Sequence, residues 1–272
     1  MRWINFRTTT FLFFLLLLLL NLVSLFFCPC YDCAVNSFCT NHLWYYGMLV
    51  AVYLVIPVVL SFFPCSLFHH SKVTCRINTD KKLLSITFDD GPDPLHTSAI
   101  LDILQRQNIK ATFFVIGKHV AGNEHLLLRA IREGHEIGNH SFSHSKFWDF
   151  MPAYHIREDI HQAEELVHQV TGIRTRLFRP PYGVINPMVH NAIRKTEYKV
   201  IAWSLRSFDT MVRDEQKLLK RISSGIKPGS IILLHDTQAV TVKILEPLIK
   251  QLKMDGYCFA TLEETIKIKP YA

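Results

Sequence analysis

Patterns that identify several common protein classes are absent from this chain of 272 residues. No aromatic-rich basic repeat accompanies the formal net charge of +7, which argues against nucleic-acid binding. No glycine fingerprint for dinucleotides or phosphate follows the apolar segment 83–88, and this removes the commonest use of an open parallel sheet. Two Cys-x-x-Cys pairs at zinc-ribbon spacing are also missing, which argues against a structural zinc site. The function must therefore be sought in other residue patterns.

Cysteine is unevenly distributed along the chain. Four of the seven cysteines fall between residues 28 and 39, whereas Cys65, Cys75 and Cys258 are isolated. The cluster is consistent with disulfides formed in an oxidising compartment, or with cysteines that share no role.

Charge is absent from two long apolar stretches near the start of the chain. Residues 11–27 have only Asn21 and Ser24 as polar members, and residues 43–68 contain no charged side chain. Both stretches are long enough to cross a hydrocarbon core of ~30 Å. Arg2 and Arg7 precede the first stretch and no small-x-small cleavage site follows it, so we expect it to be retained. We therefore predict a membrane region over residues 1–72, with one or two transmembrane helices at about 8–27 and 44–66 and the lipid bilayer as a partner.

After this region, strand-like and helix-like segments alternate. Short apolar runs predict strands at 83–88, 111–116, 136–138, 176–179, 199–204, 230–234 and 257–261. Apolar residues at helical spacing predict helices at 97–107, 126–133, 155–170, 187–195, 214–224 and 242–254. The alternation implies a parallel sheet, as an open doubly wound sheet or as a barrel. In a barrel, functional residues gather at the carboxyl ends of the strands, and the polar motifs of this sequence lie at such ends.

His140 and His144 are four residues apart. On one helical turn this spacing places both imidazoles on one face, where two nitrogens can share a metal ion. The pair is weak evidence by itself, because the chain contains 14 histidines.

Asp89 and Asp90 follow the first apolar strand. Adjacent carboxylates repel each other and are costly to hold together without a cation. Side chains of neighbouring residues at a strand end point in different directions, so one can ligate a metal while the other approaches a water molecule. The alternative is a turn, because Asp-Gly-Pro also has turn chemistry.

Two further polar motifs follow strands, at residues 179–183 (Arg-Pro-Pro-Tyr-Gly) and 233–236 (Leu-Leu-His-Asp). The two prolines lack backbone donors, which leaves the amide of Tyr182 free to face a ligand. Arg179 is a permanent charge suited to binding a carboxylate. The second motif delivers His235 at the end of an apolar strand. Each motif alone has a structural explanation as good as the functional one.

Together, these motifs resemble those of the polysaccharide deacetylases, also called the NodB-homology domain or carbohydrate esterase family four. The resemblance rests on Thr-Phe-Asp-Asp-Gly-Pro at 87–92, His-Ser-x-x-His at 140–144, Arg-Pro-Pro-Tyr at 179–182 and Leu-Leu-His at 233–235, in the family's order. It covers roughly residues 83–268, and we place the domain at residues 80–272. The resemblance implies an α/β fold, a distorted (β/α) barrel with about seven strands.

The resemblance also implies the roles of individual residues. Asp90, His140 and His144 resemble the family's ligands of one divalent metal ion, most often zinc, although cobalt, nickel and manganese suit the same donors. Asp89 resembles the general base, and His235 resembles the general acid that protonates the departing amine.

Further residues are implied to position the reacting groups. Arg179 resembles the group that orients Asp89. The amide of Tyr182 resembles the donor that stabilises the oxyanion, with Pro181 and Trp203 beside the substrate.

One segment departs from the family's pattern. Family members often carry two acidic residues three apart after the sixth strand, and then a tryptophan. Here Arg206 occupies the first acidic position, Asp209 the second, and Thr210 replaces the tryptophan. Two outcomes remain open: Asp209 supports His235, or Arg206 lies near His235, lowers its pKa and weakens it as an acid.

The expected activity is removal of N-acetyl groups from N-acetylglucosamine-type residues of a cell-wall or surface polysaccharide. The alternatives are deacylation of a membrane-borne sugar lipid, O-acetyl ester hydrolysis, and a metal-binding membrane protein without activity. A finished polymer as substrate favours an extracytoplasmic domain. The positive-inside rule instead places the domain in the cytoplasm, because basic residues follow the second predicted span, namely Lys72, Arg76, Lys81 and Lys82.

A loop at residues 146–154 is rich in aromatic residues. Phe147, Trp148 and Phe150 in this loop either stack on sugar rings or pack the rim of the barrel. The sequence leaves both alternatives open.

Overall fold

The computed structural model describes residues 73–266 and 270–271, together with positions 13, 15, 44, 47–53, 55, 59 and 65. The chain divides into two compact units, Met1–His70 and Ser71–Ala272. Cys65 and Cys75 each take part in a disulfide bond, and Cys258 is a free, exposed thiol. The predicted cysteine cluster at 28–39 lies outside the described residues. The boundary between a region 1–72 and a domain 80–272 stays a prediction.

The prediction of an N-terminally anchored membrane protein is corrected by the structure. Within the part of the chain that is described, no helix combines the length and the apolar character needed to cross a membrane. The two predicted spans, 8–27 and 44–66, fall mostly on residues outside that part.

The second unit is built on a parallel sheet. Its strands follow the path β1-β6-β5-β4-β3-β2-β8-β7, and β9 pairs with β2. Every ladder between these strands is parallel. The strands are β1 (Val73–Thr74), β2 (Leu83–Asp89), β3 (Thr112–Val115), β4 (Glu136–Asn139), β5 (Leu177–Phe178), β6 (Lys199–Ile201), β7 (Leu205–Arg206), β8 (Ile231–His235) and β9 (Cys258–Phe259).

This arrangement fits a distorted α/β barrel, with eight strands along the path where the resemblance implied about seven. The predicted strand 199–204 is divided, because the chain changes partners within it. The amide of Ala202 donates to Thr74 in β1, whereas the amide of Ser204 donates to Ile231 in β8. The chain thus passes from β6, which is next to β1 at one end of the strand path, to β7 at the other end.

Helices cover the outer face of the sheet. The six predicted helices are all present, and two short ones, α2 and α8, were not predicted. The helices are α1 (Thr97–Arg106), α2 (Gly117–Val120), α3 (Glu124–Arg132), α4 (Ala153–Thr171), α5 (Pro187–Ile193), α6 (Glu215–Gly225), α7 (Ala239–Met254) and α8 (Leu262–Ile266).

Neighbouring strand residues contribute to two separate hydrophobic clusters. Phe113 belongs to the large cluster that also contains the buried faces of α1 and α7. Phe114 belongs to a smaller cluster with Leu177, Ile201 and Ile231, drawn from four different strands. Because side chains alternate across a strand, this smaller cluster fills the inner face of the sheet. The polar residues at the carboxyl ends of the strands lie next to this apolar cluster.

Gly138 in β4 allows Phe114 to occupy this inner cluster. A Cβ at position 138 would lie 2.5 Å from the Phe114 ring and 3.3 Å from Cβ of Leu177. We expect Gly138→Ala to lower the free energy of unfolding by about 1–3 kcal/mol, because the site would be overpacked. Urea denaturation measures this change. Ser224→Ala, at an exposed position of α6, is the control, with an expected change within about 0.5 kcal/mol; equal midpoints for the two variants would contradict the packing argument.

Candidate active site

The polar motifs meet at the carboxyl edge of the sheet because the strands are parallel and in register. Asp89, the last residue of β2, pairs with His235, the last residue of β8. His140 follows β4 directly, and Arg179 follows β5. Four sequence motifs separated by up to about 145 residues thus converge on one edge, as expected for a barrel.

Asp90, His140 and His144 form a cluster that could hold a metal ion. Oδ1 of Asp90 lies 3.5 Å from Nε2 of His140 and 3.5 Å from Nε2 of His144. Four ligand atoms around a tetrahedral zinc, each about 2.1 Å from it, lie about 3.4 Å from one another. The donor set and its spacing therefore fit a divalent metal.

Hydrogen bonding fixes which nitrogen of His140 faces this cluster. Nδ1 of His140 lies 2.6 Å from the carbonyl oxygen of Arg179. A carbonyl only accepts, so Nδ1 carries the proton and Nε2 offers its lone pair. Burial alone would raise the pKa of Asp90, but a His140 that is protonated at both nitrogens donates a hydrogen bond and adds a positive charge, which together hold the pKa of Asp90 well below its usual range.

The two histidines do not lie on a helical turn, and the predicted reason for their proximity is wrong. Residues 140–144 form a loop in which Ser141 and His144 have positive φ values of 68° and 44°. Asp159 of α4 shapes this loop by accepting hydrogen bonds from the amides of Phe142 at 2.9 Å and Ser143 at 3.1 Å. Loop geometry, not helix periodicity, brings the two imidazoles together.

Arg179 is fully buried and contacts Asp89. Its Nη1 donates to Oδ1 of Asp89 at 2.7 Å and to the hydroxyl of Thr87 at 2.8 Å. Its Nε and Nη2 donate to the carbonyls of Ile201 and Ala202. The guanidinium also lies over the Phe114 ring, 4.1 Å from its centroid. The second oxygen of Asp89, Oδ2, lies 3.8 Å from Nε2 of His140 and faces the metal cluster.

Asp209 is the partner of His235. Its Oδ1 lies 2.7 Å from Nδ1 of His235, and its Oδ2 accepts the His235 amide at 2.7 Å. Thr241 and Ser207 also donate to this buried carboxylate. Burial alone would lower the pKa of His235, but the hydrogen bond and charge of Asp209 raise it to about 9. Nε2 of His235 faces the cluster, 3.9 Å from Oδ2 of Asp90.

Arg206 does not weaken His235 in the way the sequence left open. Its side chain is exposed, and its guanidinium lies over the rings of Phe208 at 5.0 Å and Trp203 at 6.0 Å. The charged group is thus held by aromatic faces, and the pKa of His235 is raised instead of lowered.

The segment after β5 forms one wall of the site. Tyr182 has a positive φ of 58°, and its ring lies 4.8 Å from the ring of His144. Pro181, the preceding residue, is buried. Gly183 approaches Trp203 so closely that a Cβ at position 183 would overlap the indole ring. Of the predicted substrate-facing residues, Tyr182 therefore contacts the candidate ligand His144, and Trp203 packs against the segment that carries Tyr182.

Comparison with known proteins identifies the family to which this arrangement belongs. A family model of polysaccharide deacetylases matches residues 76–201. The chain is 30% identical to the solved Bc1960 peptidoglycan N-acetylglucosamine deacetylase, over 74% of this chain and 95% of that one, with a TM-score of 0.69. The chain belongs to the polysaccharide deacetylase family. The predicted family, carbohydrate esterase family four, is confirmed.

The chain is also similar to one enzyme and to one pseudoenzyme of this family. The chain is 35% identical over 189 residues to the peptidoglycan-N-acetylglucosamine deacetylase of Listeria monocytogenes, which is 70% of this chain and 40% of that protein's length. A family pseudoenzyme from Bacillus anthracis shares 26% identity, over 72% of this chain and 69% of that one, with a TM-score of 0.67. A polysaccharide deacetylase fold therefore occurs with and without activity, and the side chains of the site carry the functional argument.

His119 and Thr87 contribute to this site of the polysaccharide deacetylase, although the sequence assigned a role to neither. Nδ1 of His119 donates to the carbonyl of Asp90 at 2.8 Å. Asp90 has a φ of 76°, a costly conformation for a non-glycine residue that surrounding contacts must hold. Thr87 was named only as the first residue of the motif at 87–92. The signal for His119 was a histidine shortly after β3, which does not distinguish it from the other histidines of the chain.

The side chain of Asp236 explains why position 91, in the Asp-Asp-Gly-Pro motif, is a glycine. Its buried carboxylate accepts a hydrogen bond from Thr97 at 2.6 Å and lies against Gly91, where a Cβ would overlap it. Burial raises the pKa of Asp236 to about 7. Position 91 thus requires glycine because of a close approach as well as turn chemistry.

We expect Asp209→Asn to lower the pKa of His235 from about 9 toward its ordinary value of 6.5, because the carboxylate that favours the protonated ring is lost. Since the pKa in the folded protein is above the ordinary value, the pair stabilises the fold fully below pH 6.5, and this contribution disappears as the pH rises through about 9. NMR titration of the metal-free protein measures the pKa. Asp80→Asn, an exposed position before β2, is the control; a His235 pKa that stays near 9 without Asp209 would show that another group is responsible.

Proposed function

We propose that this polysaccharide deacetylase is a metal-dependent hydrolase that removes N-acetyl groups from N-acetylglucosamine-type residues of a cell-wall polysaccharide. One observation carries the proposal: two charge pairs of opposite polarity border the Asp90, His140 and His144 cluster. Asp89 is held by a buried cation and lies 3.8 Å from His140, whereas His235 is held by a buried carboxylate and lies 3.9 Å from Asp90. Amide hydrolysis needs a base that takes a proton from water and an acid that protonates the leaving nitrogen, and the two pairs offer one of each.

The donor set supports a divalent metal, with zinc as the proposed ion. Two imidazole nitrogens and one carboxylate oxygen leave further coordination positions open, as in catalytic zinc sites. Cobalt, nickel or manganese suit the same donors. When bound, such an ion lowers the pKa of water and polarises a carbonyl group.

Asp89 is proposed as the general base. Because Arg179 occupies Oδ1, the other oxygen is left to accept a proton from the attacking water. Oδ2 faces His140 at 3.8 Å, on the side of the metal cluster. Arg179 contacts the base and not the reacting atoms, so its role is to position Asp89.

His235 is proposed as the general acid. Nδ1 is held by Asp209, so the proton on Nε2 can pass to the leaving nitrogen as the carbon–nitrogen bond breaks. The products are acetate and a free amine on the sugar. The amide of Tyr182 would donate to the carbonyl oxygen as negative charge develops on it, with Pro181 and Trp203 shaping that wall.

The test is release of acetate from N-acetylglucosamine oligomers and cell-wall fragments. We expect wild-type protein to release acetate, a chelator to abolish the release, and added zinc to restore it. The reason is that the proposed mechanism needs the metal ion to lower the pKa of the attacking water. A rate that is unchanged by the chelator would contradict the metal-dependent mechanism.

The division of labour between the two aspartates has its own test. Asp89→Asn should reduce kcat by at least about a hundredfold, a typical contribution of a general base, while zinc affinity stays close to that of the wild type. Asp90→Asn should instead lower zinc affinity, measured by competition with a chromophoric chelator. Asp80→Asn is the matched control for the loss of one charge. Loss of zinc from Asp89→Asn would reverse the assigned roles.

Two other outcomes of the same assay would replace the proposal. Acetate release from O-acetylated glycans alone would identify an esterase. Failure to release acetate from amide and ester substrates, with zinc bound, would identify a pseudoenzyme, the category of the similar protein from Bacillus anthracis.

A further inference from the structure

The loop between His144 and α4 exposes two large aromatic side chains. Phe147 and Phe150 are 64% and 69% exposed, whereas Trp148 between them is 0% exposed. The rings of Phe147 and Phe150 are near neighbours, with centroids 6.5 Å apart and planes at 72°. The sequence left open whether these aromatic residues pack against the barrel or remain available to sugar rings. Trp148 packs inside, whereas the two phenylalanines face solvent.

This exposure is imposed by an ordered loop. The indole Nε1 of Trp148 donates to Asp159 at 2.8 Å, and its amide donates to the carbonyl of Ser145 at 3.1 Å. The amide of Phe150 donates to the carbonyl of Phe147 at 3.1 Å. The side chain of Asn186 donates to the carbonyl of Asp149. The two phenylalanines are therefore displayed by a short 3₁₀ turn (Trp148–Phe150) that is anchored at several points.

The exposed pair continues directly from the metal cluster. Ser145 follows the ligand His144, and its carbonyl accepts a hydrogen bond from the hydroxyl of Tyr182 at 3.4 Å. Tyr182 is itself half exposed and contacts the His144 ring. The loop that displays the two phenylalanines thus starts at His144 and is bonded to Tyr182, which contacts the same histidine.

Lys146 adds a positive charge to this surface. Its Nζ lies 5.6 Å from the centroid of the Phe147 ring. Within the described residues, no salt bridge is formed by Lys146, and its charge is therefore available to a ligand. An aromatic face beside a cation suits a ring with apolar C–H faces and a carboxylate at its edge.

A polymeric substrate must extend beyond the residue that reacts. Only one sugar residue can present its N-acetyl group to the metal cluster, so its neighbours lie on the surfaces beside the site. Sugar rings stack on aromatic side chains through their apolar faces, and large exposed aromatic patches commonly mark binding sites. Phe147 and Phe150 offer such a surface three and six residues after His144.

We propose that Phe147, Phe150 and Lys146 form a subsite that binds the sugar residue next to the one being deacetylated, with a preference for a residue that carries a carboxylate. In peptidoglycan, N-acetylmuramic acid is such a residue. The subsite deepens the proposed function, on which it rests for the identity of the ligand as a glycan.

The aromatic part is tested with Phe147→Ala, Phe150→Ala and the double variant. Both residues are exposed, so folding should be retained, and thermal unfolding checks this. We expect KM for a chitooligosaccharide to rise about tenfold in the double variant, corresponding to the loss of about 1.4 kcal/mol of stacking. We expect kcat to stay unchanged, and activity on an N-acetylglucosamine monosaccharide to be unaffected. Met254→Ala, another exposed apolar position at the end of α7, is the matched control.

The charged part is tested with Lys146→Ala, Lys146→Arg and the control Lys220→Ala. The wild type should favour muramic-acid-containing fragments over neutral chitooligosaccharides in kcat/KM. Lys146→Ala should remove this preference, Lys146→Arg should keep it, and added salt should weaken it. Equal preference in the wild type and in Lys146→Ala would overturn the assignment of the charge.

Calorimetric binding of the same oligomers separates this inference from the proposed function. Glycan binding that depends on Phe147 and Phe150 would support the subsite even if no acetate were released. Acetate release with a wild-type KM in the double variant would support the function and overturn the subsite. A change of oligomeric state in the double variant, with glycan binding unaltered, would also overturn it, because the patch would then be an interface between protein chains.

Discussion

The buried guanidinium of Arg179 is the interaction on which the site depends. Its donors reach Asp89, Thr87 and the carbonyls of Ile201 and Ala202, and its own carbonyl accepts from His140. One residue therefore connects β2, β4, β5 and β6 at the carboxyl edge. A charge so deeply buried is tolerated because the guanidinium donates four hydrogen bonds and a carboxylate lies beside it. The orientation of the proposed base and of one proposed metal ligand follows from that requirement.

A second pair of opposite charges completes the electrostatics of the edge. The carboxylate of Asp209 raises the pKa of His235 and so favours its protonated form. The guanidinium of Arg179 likewise places a fixed positive charge beside Asp89. The two pairs face the cluster with opposite charges. The first pair presents a carboxylate oxygen of Asp89, and the second presents the protonated Nε2 of His235. A carboxylate held beside a cation and an imidazole held beside a carboxylate give one site both a candidate base and a candidate acid. The order of the strands creates this arrangement, since β2 and β8 are neighbours.

The sequence was most informative where chemistry and periodicity are local. The helices and most strands follow from apolar spacing, and the motif residues follow from the family resemblance. It was wrong about the turn joining His140 to His144, because Asp159 lies 15 residues beyond His144 and shapes that loop only through tertiary contact. It also left the partner of His235 open. That partnership depends on how the chain passes from β6 to β7, which no local pattern encodes. The predicted membrane anchor was wrong for the described residues, in which no helix is both long and apolar enough to cross a membrane.

Asp159 stabilises two parts of the same loop, and this affects which substitutions the loop can accept. The same carboxylate accepts from the loop that carries the histidines and from the anchor Trp148, whereas Phe147 and Phe150 take no part in that network. A substitution at Asp159 would therefore remove contacts from both parts of the loop, whereas a substitution at either exposed phenylalanine would remove none of these hydrogen bonds. The loop thus combines an inner half whose shape depends on one carboxylate with an outer half whose side chains can be exchanged independently of it.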